Sequence, residues 1–263
     1  MPEQQFTLAD LDVSSRRIAA IAGDGAASRA RVRAIITGEL AWLANQISAD
    51  RTNTLFMSWA MSTVIDENTG EPVICRELFE VLHELAGIEA QWPVGNAGLL
   101  HCYGYLLSTA STPYGLKRDR WVTSDLATAF GLAPDAFLPW AKGESLLSRV
   151  MREIIPVLTH PPADAIAVHT VITKEDAAGV SHTTRTVVVQ QEGVAALAYG
   201  LVVQHAGVRS FRPVTVFPVS ASPSSLADVA ADTPRLRFNA VGVGSEVPEV
   251  RVADATPGAD AGV

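Results

Sequence analysis

The hydrophobic period of this chain changes once, near residue 160, and that change restricts the fold more than any motif does. Up to the His160-Pro161-Pro162 break the apolar residues recur at helical spacing; beyond it they alternate, in segments separated by glycine-bearing turns. Strands are expected over 165–173, 183–191, 194–204 and 209–219, with turns at 175–179, 192–193 and 206–207. Turns this short join antiparallel neighbours, so the second half reads as a β-meander.

In the first half, apolar residues from Ile18 to Ile47 fit two helices split by Gly23-Asp24-Gly25. The run 55–65 (LFMSWAMSTVI) fits either a helix or a buried strand, since periodicity does not arbitrate at this length. Residues 76–86 form an amphipathic helix closed by Gly87, and helices are also expected over 99–107, from Thr123 or Ser124 to Phe130, and over 146–158. The fold class is α+β: a helical layer of residues 1–160 packed against a four- to five-stranded antiparallel meander of residues 161–243. The two regions are expected to form one continuous domain, with one more possible strand at 236–243 and a flexible acidic tail at 244–263.

A net charge of −8 repels nucleic acid, which leaves only a local basic patch for such a role. Cys75 and Cys102 lie 27 residues apart without ligand spacing, and read as buried reduced thiols of a cytoplasmic protein. The first residues, MPEQQFTLADLD, lack the layout of a secretory signal, and no apolar run is long enough to cross a membrane. Patterns for a dinucleotide fold, a phosphate loop, a nucleophile elbow and a zinc helix are all missing, so no cofactor or metal is expected.

Reactive side chains concentrate in residues 98–121 (GLLHCYGYLLSTASTPYGLKRDRW). His101 and Tyr105 are four residues apart and share a helical face. Tyr114 lies in a loop broken by Pro113 and Gly115, and Lys117, Arg118 and Arg120 follow it, with Trp121 as an apolar wall. Cations just after a glycine turn can clamp a carboxylate or phosphate; equally, they can pair with surface carboxylates.

Turn register nominates a second group. Glu175 opposite Val180 sets His169 opposite Thr186, Gln191 opposite Val194 sets Thr186 opposite Tyr199, and His205 opposite Val208 sets Arg212 beside Leu201 and Val214 beside Tyr199. One face then carries His169, His182, Thr184, Thr186, Tyr199 and Arg212, together with Leu197 and Val216. The other carries Val187, Val189, Phe211, Phe217 and the small residues Ala196, Ala198 and Gly200. A polar solvent face is the plain alternative.

The expected function is a cofactor-independent enzyme of the lyase, isomerase, cyclase or hydrolase type, acting by acid–base chemistry on a small anionic substrate. His101, Tyr105, Tyr114, His169 and His182 are the candidate catalytic groups; Lys117, Arg118, Arg120, Trp121, Tyr199 and Arg212 are the candidate binding groups. Two alternatives stand beside it: a metal-independent ribonuclease-like protein using the sheet histidines, and a non-catalytic small-ligand binding module.

Overall fold

The computed structural model describes residues 6–21, 23, 25–66, 68–112, 115–172, 181–205, 208–222 and 251–252. The expected turns at 175–179 and 206–207, the strand at 236–243 and all but two residues of the tail lie outside these. The chain is α+β, with helices before residue 160 and a four-stranded antiparallel meander after it. It divides into two compact units: Met1–Met57, Ser62–Thr123 and Phe137–Arg149 form the first, and Ser58–Met61, Ser124–Ala136 and Val150–Val263 the second.

The first unit opens with three helices, α1 (Leu8–Ile21), α2 (Ala26–Gly38) and α3 (Ala41–Thr52), where two were expected. The extra break falls at Leu40, whose backbone (φ −109°, ψ 38°) leaves the helical region while its side chain stays fully buried. The ambiguous run 55–65 is neither a single helix nor a single strand. It holds a 3₁₀ turn at Leu55–Ser58 and a short strand, β1 (Met61–Thr63). Helix α4 (Arg76–Ala86) has the expected bounds, and Gly87 closes it at φ 66°, a left-handed conformation that suits glycine.

Strand β2 (Val94–Asn96) pairs with β1 and delivers the chain into the helical stretch 97–107. Asn96 starts that stretch: its side-chain oxygen accepts from Leu99 N (3.1 Å) and its amide donates to Phe56 O (2.8 Å). The stretch departs from a regular α-helix. Leu99–Gly104 is a π-turn and Tyr105–Leu107 a 3₁₀ turn, with Tyr105 N donating to Leu100 O five residues back. A small hairpin follows, β3 (Ser111–Thr112) with β4 (Gly115–Leu116), then the one-turn helix α5 (Asp119–Val122).

The second unit is built on β5 (Ala167–Ile172), β6 (Ser181–Gln191), β7 (Val194–His205) and β8 (Val208–Val219), in the order β8-β7-β6-β5, with a two-residue β9 (Arg251–Val252) beside β5. The β6–β7 turn uses Glu192 (φ 51°) and Gly193 (φ 77°), the paired left-handed residues that match strand twist. The register agrees with the turn argument from β5 to β7: His169 faces Thr186, and Thr186 faces Tyr199. In β8 a bulge at Val214 corrects it. Tyr199 faces Thr215, while Gly200 faces Pro213, so Phe217 joins the face of Tyr199 and Val216 moves to the other. Proline has no N–H for the ladder, which explains a bulge beside Pro213.

Neither face reads as a solvent side. Thr184, Thr186, Tyr199, Leu201 and Thr215 are buried on one, and Val187, Ala196, Ala198, Val214 and Val216 on the other. Helix α6 (Asp125–Ala129) packs across β7, and the C-terminal part of α7 (Leu146–Thr159) comes down where β7 is smallest. A Cβ on Gly200 would lie 2.6 Å from Leu158 Cδ1. Opposite Gly200, Arg185 donates to the free carbonyls of Leu158 (2.8 Å) and Thr159 (3.3 Å), matching a cation to the negative end of α7.

Gly95 in β2 is the tightest position of the first unit. An added Cβ would sit 2.2 Å from His83 Nε2 and 2.8 Å from Phe79 Cε2, and His83 is held by Phe79 O and Asn96 N. Gly95→Ala is expected to cost about 3 kcal/mol in a denaturant melt, as overpacking of a fixed ring does. Gly38→Ala, where a Cβ meets nothing within 4 Å, is expected to be neutral or to stabilise by up to about 1 kcal/mol.

Candidate functional site

The π-turn aims successive side chains of one buried segment into different polar clusters, and the first of these gathers most of the candidate residues. His101 is 6% exposed, and its Nε2 lies 2.8 Å from Ser62 Oγ on β1. Its Nδ1 faces Arg120 Nη1 at 3.5 Å. The His101 and Tyr105 rings lie 4.6 Å apart, and the Tyr105 hydroxyl donates to Thr63 O (3.0 Å). Arg120 and Lys117 both approach the Tyr105 ring, at 5.5 and 5.8 Å from its centroid. Arg120 Nε also donates to Lys117 O (3.1 Å), which fixes the turn that precedes α5.

Asp66 supplies the negative charge of the cluster. Its side chain has no exposed surface; Lys117 Nζ reaches one carboxylate oxygen at 2.5 Å, and the backbone N–H groups of Asn68 (2.9 Å) and Thr69 (3.2 Å) donate to the other. Burial raises this carboxyl, but Lys117 and the two N–H donors outweigh it and hold the group below its ordinary value. Arg120 is buried, which pushes its guanidinium down to about 10 against the partial support of Tyr105, Cys102 and Asp66; it remains protonated at neutral pH.

The remaining candidates separate. Trp121, expected as a substrate wall, is 1% exposed; its indole donates to His101 O (2.8 Å) and its ring packs edge-on against Phe137, so it steadies the π-turn. Arg118 turns away to pair with Asp12 on α1 and Asp119. Tyr114 lies outside the described residues. Tyr199 and Arg212 belong to the second unit, Tyr199 buried within the sheet and Arg212 exposed beside Leu201. The side chains of His169 and His182 lie outside the described residues; in the backbone register His169 is level with Thr186, four residues along β6 from His182. Their backbones are therefore about 13 Å apart along the strand.

A second cluster on the same π-turn escaped the sequence argument. Asp50 of α3, 1% exposed, accepts from the hydroxyls of Tyr103 and of Ser145 (2.5 Å). Gln46 accepts from Leu146 N (2.9 Å) and donates to Pro139 O (2.8 Å), and Arg149 donates to the carbonyls of Glu144, Ser145 and Leu138. Burial raises the Asp50 carboxyl against those two hydroxyls. Burial next to Asp50 also drives the Tyr103 phenol and the Cys102 thiol well above their usual values. Cys102 is thus an inert core thiol. Cys75, also free, is only half-buried, which corrects the expectation for that residue.

His83 is bound differently: its Nδ1 faces Phe79 O (2.8 Å), and Nε2 accepts from Asn96 N (3.1 Å). Burial lowers it, as expected for a neutral structural imidazole. Ser62, Asp66 and Asp50 are the residues the sequence reading missed. The only available signal was the hydroxyl at Ser62 interrupting an apolar run.

Among the described residues no three His, Cys, Asp or Glu side chains are placed to hold a metal ion, and no helix is long and apolar enough to cross a membrane. No protein-family model, curated protein or solved structure matches the chain.

Removing Lys117 leaves a buried carboxylate with only its two backbone donors. Lys117→Met is expected to cost about 3 kcal/mol at pH 7 in urea melts, as does breaking other buried pairs. Asp66 contributes stability that is fully present above the ordinary carboxyl value of 3.8 and is lost as pH falls through its lowered value. The penalty of Lys117→Met should therefore shrink as Asp66 becomes protonated in acid.

Proposed function

We propose that the chain is a cofactor-independent enzyme of the lyase, isomerase, cyclase or hydrolase type, acting on a small anionic substrate in a soluble, cytoplasmic setting. The observation that carries this reading is the 2.8 Å Ser62–His101 contact, enclosed with two cations against the Tyr105 ring. A hydroxyl–imidazole pair beside fixed positive charge is suited to proton transfer and to stabilising the oxyanion that forms when a carbonyl or carboxylate reacts. Lys117 is the cation open to a substrate: its side chain keeps 22% exposure while it stays paired with Asp66.

The non-catalytic binding module would use the same residues, with Lys117 and Arg118 already holding the chain's own carboxylates. The ribonuclease-like reading gains no support: its two histidines stand on backbones about 13 Å apart along the strand, and their side chains lie outside the described residues.

Titration with inorganic phosphate, acetate and succinate tests the binding half. At least one is expected to bind, with Lys117→Gln weakening it by tenfold or more, about 1.4 kcal/mol. A library of small carboxylates and phosphate esters, followed by NMR for product, tests the catalytic half; His101→Gln is expected to slow turnover by about 100-fold or more. Binding without conversion of any member would leave the binding module, and neither binding nor conversion would remove the proposal.

A further inference from the structure

The Ser62–His101 pair has the composition of a nucleophile and its base, but the group behind the imidazole is of the wrong charge for that role. In a base-activated serine the far ring nitrogen carries a proton and gives it to a carboxylate, which also stabilises the imidazolium that forms. Here the far nitrogen, Nδ1, faces the Arg120 guanidinium at 3.5 Å. Arginine has donors and no acceptor, so Nδ1 must offer its lone pair and the ring proton must reside on Nε2. That proton points at Ser62 Oγ, 2.8 Å away. An imidazolium would place a second positive charge directly against the buried guanidinium, with Lys117 also over the same Tyr105 ring. Asp66, the carboxylate of the cluster, is taken by Lys117 and two N–H groups.

We infer that Arg120 is a positioning residue that holds His101 neutral with its proton on Nε2, so that His101 donates to Ser62 instead of deprotonating it. Ser62 Oγ accepts, and its own hydroxyl proton is left to donate onward. The inference rests on the proposed enzyme reading for its consequence: His101 enters the reaction as a neutral hydrogen-bond donor to developing negative charge, a role that neutral imidazoles can fill. Serine-nucleophile hydrolysis then leaves the set of reactions considered.

His83 provides an internal reference. Its Nδ1 faces a carbonyl and its Nε2 accepts a backbone N–H, so its proton belongs on Nδ1, the opposite tautomer.

Long-range proton–nitrogen correlation spectra of the ¹⁵N-labelled full chain at pH 7.5 report the tautomer of each of the six histidines. His101→Gln and His83→Gln identify the two resonances by their loss. The expected result is His101 with Nε2 protonated and His83 with Nδ1 protonated. An Nδ1–H or doubly protonated His101 in the wild type would overturn the inference, whatever any variant does. Arg120→Gln, which keeps a side-chain N–H donor, is expected to retain the Nε2–H form; Arg120→Leu is expected to populate Nδ1–H. A folded Arg120→Leu protein with an unchanged Nε2–H signal would also overturn it. The spectra need no substrate, so loss of the enzyme reading with the Nε2–H form intact is distinguishable from loss of this inference.

Discussion

Asp66 sets the condition that the rest of its cluster has to meet. A carboxylate with no exposed side-chain surface is costly unless its lone pairs are occupied and its charge is matched nearby. The Asp66–Gly70 turn supplies two N–H donors from its own loop, but the counter-charge must come from a distant part of the chain, at Lys117. Bringing Lys117 there carries Arg120 with it, through the Lys117 carbonyl, to the edge of His101. The chemistry of the site thus depends on one buried ion pair linking positions 51 residues apart.

The π-turn is the second constraint. Buried polar groups favour one partner each, and a regular α-helix repeats its faces every three to four residues. Within the turn at Leu99–Gly104, His101 reaches Ser62 while Tyr103, two residues on, reaches Asp50. Its carbonyls need external donors, and the Trp121 indole meets that need at His101. Asn96 fixes where the segment begins, and the bare Cα of Gly95 admits the His83 ring that holds Asn96 in turn. The two clusters are therefore oriented by packing and capping residues that carry none of the reactive chemistry themselves.

Elements dictated by local rules were legible. Helix α4 and its glycine cap follow from an amphipathic run ending in a residue free to adopt φ 66°. The meander and most of its register follow from turn length, because side chains in a strand repeat every two residues and a turn fixes their phase. The bulge at Val214 escaped that argument even though Pro213 stood in the sequence. A proline forbids one ladder bond, but it does not say which side of the strand absorbs the extra residue.

The candidate site was legible by half, and the division has a physical cause. His101, Tyr105, Lys117 and Arg120 are close in sequence, so residue type and spacing alone could nominate them. Ser62 and Asp66 join them only through long-range contact, and no periodicity records which loop will offer a carboxylate to a lysine. The sequence by itself determined that this chain is α+β, where its helical half gives way to strands, and which segment is rich in reactive groups. Tertiary structure alone decided that Trp121 is a strut, that Arg118 is turned to Asp12, and that a guanidinium stands where a base-activating carboxylate would be. Local preference acts through neighbours along the chain, whereas protonation, pairing and burial depend on which distant groups share a space from which water has been removed.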